Sequence, residues 1–254
     1  MQLNFKVFGS GEPLIILHGL LGSLDNWQSL AKKYAEHFTV YIVDLRNHGK
    51  SPHSDEFSYE DMVEDLLEFC ETNYIFNCHL LGHSMGGKVA MQFAINYPAY
   101  IDKLIVADIA PVQYEPGHNE IFEALSKVDL SLIIKREEVD QILQEKISNY
   151  SVRQFLMKGL TRGEGNKFEW KFNLTAIWEN YQNILGTFEA SEPFEKPSLF
   201  VSGGNSSYVD ASNFYIIDHY FPKNTKEVIE NVGHWLHAEN PKVFYEKTFN
   251  FLSS

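Results

Sequence analysis

"LLGHSMGGK", residues 80–88, sets Gly82-His83-Ser84-Met85-Gly86 between an apolar run and a helical pattern. Leu80 and Leu81 lead in, and Val89, Ala90, Phe93, Ala94 and Tyr97 follow at helical spacing. G-x-S-x-G alone is weak, because so short a pattern arises often by chance. Between a strand and a helix it reads as a nucleophile elbow. The spacing has a steric cause. A serine projecting from so tight a turn brings the residues two positions either side into collision, and Gly82 and Gly86 remove those side chains. The helix N-terminus that follows puts partial positive charge beside the reacting oxygen. A plain Gly-Ser turn is the bland alternative, and the flanking strand and helix argue against it.

Outward from the elbow, apolar runs of strand length recur: "PLIILHG" (13–19), "TVYIVDLR" (39–46), "CHLLGHS" (78–84), "KLIVADIA" (103–110), "SLFVSGG" (198–204) and "KEVIENVGH" (226–234). Several are apolar on consecutive residues, as strands buried on both faces are. Helical patterns lie between them. Ser58-Tyr59-Glu60-Asp61 is a capping start before Met62, Leu66 and Phe69, and Asn240-Pro241 opens the last helix. The alternation predicts an α/β fold with a mostly parallel sheet, flanked by helices through right-handed crossovers.

The alternation lapses from about Val112 to Ser191. Charged helical segments such as "KREEVDQILQEKI" and "LTAIWENYQNIL" occur there, with a Gly-rich loop "TRGEGN" (161–166) and a brief alternation in "FEWKF" (168–172). Residues 1–111 and 192–254 are therefore expected to form the core domain. Residues 112–191 are expected to form a helical cap over the carboxyl edge of the sheet. The alternative is that this segment simply continues the helical layer.

A nucleophilic serine needs a base. Of ten histidines, His234 has the telling context: it follows Gly233 after the last strand, near the chain end. Serine early and histidine last is the chain order of α/β-hydrolases. His237 is the local competitor. His18 and His83 read as shapers of local structure, and His37, His48, His53, His79, His118 and His219 show no comparable context. His234 with His237 lacks the carboxylates or cysteines of a metal site.

The oxyanion of the tetrahedral intermediate needs N–H donors. "LHGLLGS" (17–23) turns sharply after a strand, offering Leu20 N–H, with Leu21 as the lesser choice. Met85 N–H follows the nucleophile. The acid is the harder assignment. The strand "LFVSGG" leads to Asn205, Ser206 and Ser207, with no carboxylate before Asp210. The preceding strand ends in Asp108-Ile109-Ala110-Pro111, and adjacent parallel strands end close together. Asp108 is the expected acid and Asp210 the alternative.

With these residues in view, nearly the whole chain resembles the YbfF-type esterases of the α/β-hydrolase superfamily. The match is carried by "HGLLGSLDNW" (18–27), "VDLRNHGKSP" (43–52), "LGHSMGGKVAM" (81–91), "DKLIVADIAPV" (102–112), "GGNSSYV" (203–209) and "GHWLHAENP" (233–241). "RNHG", "DIAPV" and "GGNS" are far more specific than the elbow pattern. The resemblance implies a bacterial carboxylester hydrolase with a helical cap, acting on acyl esters or on acyl thioesters such as acyl-CoA. It implies Ser84 as nucleophile, His234 as base and Asp108 as acid. It also draws attention to Ser206, whose hydroxyl is expected to fill the vacated acid position and bond Asp108 or His234.

No cofactor is expected: neither G-x-G-x-x-G nor G-x-x-x-x-G-K-[ST] occurs. A triad-dependent C–C bond hydrolase or lyase, and a non-catalytic binding protein on the same scaffold, are the rival readings. The 254 residues carry 34 acids against 21 bases, a formal charge of −13, which disfavours nucleic acid and anionic membrane as partners. No apolar run is long enough for a signal peptide or a bilayer span, and two cysteines make no disulfide framework, so a cytoplasmic enzyme is expected. Nothing in the sequence sets an oligomeric state. Trp178, Tyr181 and Trp235 are candidate pocket residues, and "RNHGKSP" is expected near the pocket mouth.

Overall fold

The computed structural model describes residues 1–187, 190 and 192–254. A seven-stranded sheet runs through it in the order β1-β3-β2-β4-β5-β8-β9. The strands are β1 (Phe5–Phe8), β2 (Glu12–Leu17), β3 (Phe38–Val43), β4 (Cys78–His83), β5 (Ile101–Ala107), β8 (Ser198–Gly203) and β9 (Asn224–Ile229). Only β1 is antiparallel to its neighbour, and it lies at an edge. All six strands expected from the apolar runs form, and they are parallel to one another. β1 carried no such signal, because its four residues are exposed or half-buried rather than apolar on consecutive buried positions.

Consecutive apolar residues serve opposite faces. Leu80 and Leu104 join one core cluster; Leu81 and Ile105, beside them in register, join the other. Helices α2 (Tyr59–Thr72) and α3 (Met85–Asn96) cover the first face, and α1 (Gln28–Tyr34) and α10 (Pro241–Leu252) the second. α2 starts where expected: Ser58 Oγ accepts Asp61 N–H at 3.1 Å. α10 starts at Pro241, with the Asn240 side chain accepting Val243 N–H.

Between β5 and β8 lie α4 (Asn119–Ser126), α5 (Arg136–Gln144), α6 (Tyr150–Lys158) and α7 (Leu174–Glu179). A separate two-stranded antiparallel sheet, β6 (Leu160–Arg162) with β7 (Phe168–Trp170), stands between α6 and α7. The stretch expected as a Gly-rich loop is therefore the turn of a hairpin. Arg162 lies over the Phe168 ring, 3.8 Å from its centroid. The boundary expected at Ser191 lies outside the described residues. α8 (Phe214–Tyr220) joins β8 to β9, and α9 (Leu236–Glu239) precedes α10.

One side chain ties this segment to the core. Lys88, one turn after Ser84 on α3, is almost fully buried. Its ammonium donates to the carbonyls of Val112 at 2.7 Å, Leu185 at 3.3 Å and Gly186. Those carbonyls belong to the two crossings that leave and rejoin the sheet. Burial draws the ammonium down to about 7, while three carbonyls that need its donors favour the charged form.

Candidate active site

Ser84 stands at the end of β4 with φ 54° and ψ −121°, a left-handed backbone that costs a non-glycine residue free energy. The glycines around it permit this. A Cβ on Gly82 would lie 2.1 Å from Gly86 O, and one on Gly86 would lie 2.4 Å from His18 O. Asp108, one residue past the end of β5, also has positive φ, 52°. Its N–H is held by Val201 O on β8 at 2.8 Å. This turns the carboxylate sideways across the strand ends.

The three expected residues meet there. His234 Nε2 is 2.9 Å from Ser84 Oγ, and His234 Nδ1 is 2.7 Å from Asp108 Oδ2. Asp108 is fully buried. Its Oδ1 accepts Gly203 N–H at 2.9 Å, and its Oδ2 also accepts Ser206 Oγ–H at 2.5 Å. Ser206 thus bonds Asp108, the first of its two expected partners. Asp210 is elsewhere: its carboxylate accepts Ser212 N–H and Oγ–H at the start of a short exposed helical turn.

The other histidines surround the site without joining this chain. His83 Nε2 donates to His234 O at 2.8 Å and so anchors its backbone. His237 stacks on Trp27 at 4.3 Å, and its Nδ1 is buried with no partner among the described residues. Burial pushes His83 well below the usual range and His237 down to about 3, leaving both neutral at pH 7. Among the described residues no group of three or more His, Cys, Asp or Glu is arranged to hold a metal ion.

The backbone donors are sorted by His48, a residue sequence reasoning passed over. His48 Nδ1 donates to Arg46 O, leaving Nε2 to accept Leu21 N–H at 3.1 Å. Leu21 N–H is thereby committed, while Leu20 borders the space beside Ser84. Met85 N–H, at the first position of α3, has no intrahelical acceptor. "RNHG" does not lie at the pocket mouth as expected. Arg46, Asn47 and His48 are buried, with His48 against the loop at Leu21 and Arg46 paired to Asp65 at 2.6 Å. Only the quoted motif hinted at this; no periodicity did.

Two cavities meet at Ser84. One, of about 290 Å³, is lined by Met85, Lys88, Tyr59, Tyr114 and Tyr181. The other, of about 210 Å³, is lined by His234, Trp235, Ile121, Phe155 and Leu156. Leu20, Ser84, Gly117, His118 and Tyr208 border both. Trp178 borders neither: it is partly exposed and stacks on Phe122.

A family model described as alpha/beta hydrolase fold matches residues 12–133. A putative esterase/lipase of Haemophilus influenzae is 38% identical over 241 residues, 94% of this chain and 83% of that protein. Esterase YbfF of Escherichia coli K12 is 37% identical over 247 residues, 95% of each chain. Among solved structures, a marine microorganism esterase superposes with a TM-score of 0.96 at 43% identity, covering 98% of this chain and 99% of that one.

Proposed function

The chain belongs to the α/β-hydrolase family and cleaves esters, and from that premise we propose that it is a serine carboxylesterase working through Ser84, His234 and Asp108. One observation carries the reading: an unbroken hydrogen-bonded path from the buried Asp108 carboxylate through His234 to Ser84 Oγ. His234 takes the serine proton as Ser84 attacks the ester carbonyl. Leu20 N–H and Met85 N–H receive the oxyanion. His234 returns the proton to the leaving alcohol, and water then resolves the acyl-enzyme. Acyl thioesters such as acyl-CoA follow the same steps, because the acyl-enzyme is indifferent to whether an alcohol or a thiol departs. The segment expected as a cap, residues 112–191, contributes Tyr114, His118, Phe155 and Tyr181 to the walls of the two cavities. Cys70 and Cys78 are buried and free, which fits a reducing cytoplasm.

A serine-directed phosphonate is expected to label one site per chain and abolish hydrolysis of p-nitrophenyl butyrate, with Ser84→Ala taking up no label. Full labelling of Ser84→Ala would remove the proposal.

Ser206 enters as a support. By donating to the same carboxylate oxygen as His234, it fixes the acceptor's orientation. Ser206→Ala is expected to lower kcat on the order of tenfold with KM held, as loss of one hydrogen bond to a charged group would. Steady-state kinetics on the same ester check this, and an unchanged kcat would leave Ser206 without a part in the reaction.

A further inference from the structure

The two cavities have different parts in ester cleavage. In the reaction proposed above His234 passes its proton to the departing oxygen, which assigns the alcohol part to the side lined by His234 and Trp235. The acyl part takes the side lined by Met85 and Lys88. His118 faces this junction from the segment between β5 and β8 and borders both cavities.

The proton on its ring can be located. Tyr181 Oη accepts Gly117 N–H at 3.3 Å and lies 2.6 Å from His118 Nδ1. No other acceptor meets this phenol among the described residues, so the phenol proton points to Nδ1. An imidazole accepting at Nδ1 carries its own hydrogen on Nε2. Burial, with the nearby His234 adding to it, pushes His118 down to about 4, so the ring is neutral at pH 7. The remaining Nε2–H has no hydrogen-bond partner among the described residues, and the His118 side chain is half-buried. The same cavity takes apolar wall from Ile121, Val152 and Leu156. A fixed donor in an apolar wall is how a pocket selects for an acceptor at one place.

We propose that His118 is a specificity residue whose Nε2–H binds an acceptor oxygen on the alcohol part of the substrate, so that esters whose alcohol part carries such an oxygen are preferred over their hydrocarbon counterparts. The proposal rests on the esterase reading above. His118 has no bond to Ser84 or His234 and takes no proton in the reaction.

The test compares kcat/KM for ethylene glycol diacetate and 4-methylpentyl acetate, two esters of similar shape, by pH-stat titration. Wild type is expected to prefer the diester about tenfold per ester group, the scale of one well-placed neutral hydrogen bond. His118→Phe should bring that ratio close to one, through a larger loss on the diester than on the hydrocarbon ester. Tyr181→Phe keeps the ring but removes the proton that fixes the tautomer, and should lower the ratio part of the way. That partial loss is a readout that mere packing would not move. A wild type without diester preference, a ratio kept in His118→Phe, or an equal loss on both esters would overturn the assignment. If wild type cleaved neither ester and took up no phosphonate, the esterase reading itself would fall, and this assignment with it.

Discussion

Asp108→Asn is expected to lower kcat for a short p-nitrophenyl ester by about 10⁴-fold, with the fold and KM nearly intact. The size follows from where the hydrogens are. Three donors converge on this carboxylate: Gly203 N–H, Ser206 Oγ–H and His234 Nδ1–H. A carboxylate accepts all three; an amide has one oxygen and one NH₂. If the amide oxygen faces Gly203, the NH₂ faces His234 and forces Nδ1 to accept. The imidazole hydrogen then moves to Nε2, the atom that must take the proton of Ser84, and general-base catalysis stops. If the amide turns over, the NH₂ opposes Gly203 N–H in a fully buried site, which is costly as well. Stopped-flow or initial-rate assays with circular dichroism as a fold control decide it. Activity retained within tenfold would return the acid to Asp210, which would have to leave the helical turn it caps.

Gly82→Ala is expected to cost more than about 3 kcal/mol and to yield little soluble protein. The new methyl would lie 2.1 Å from Gly86 O, 2.5 Å from Gly86 C and 2.7 Å from Gly87 Cα. These are backbone atoms inside the first turn of α3, so no side-chain rotation relieves the overlap. Relief requires opening the elbow, and with it the pairing of β4 against β2 and β5 at the sheet centre. Gly117→Ala is the matched control: its nearest neighbour would be 4.0 Å away, and little change is expected. Chemical denaturation of the soluble fraction measures both. A Gly82→Ala protein as stable as wild type would mean that the elbow is far softer than these contacts allow.

The parallel strands were legible because they are buried on both faces, which writes apolar residues consecutively into the chain: Leu14 to Leu17 is an example. β1 was not, since an exposed edge strand leaves no such run. The β6–β7 hairpin was half legible. Its alternation spans three residues per strand, and its turn glycines read as a plain loop. In the site, Ser84 and His234 were signalled by local context. Asp108 needed a topological step, the adjacency of β5 and β8 at their carboxyl ends. His48 and His118 were out of reach of such reasoning. Each ring is held by a hydrogen bond to a residue at least 27 positions away, and no local pattern encodes that.

The Lys88 clamp bears on how this enzyme can be re-engineered. The segment between β5 and β8 would pass for an exchangeable cassette, joined to the sheet at two points. Both joints share one ammonium, carried on the helix that begins directly after Ser84. A foreign segment that brings no carbonyl to either joint would leave the buried Lys88 amine without acceptors one turn from Ser84, at a cost of about 1–3 kcal/mol. Chimaeras should therefore be cut outside Val112 and Gly186, so that the graft keeps both carbonyls with the lysine that reads them.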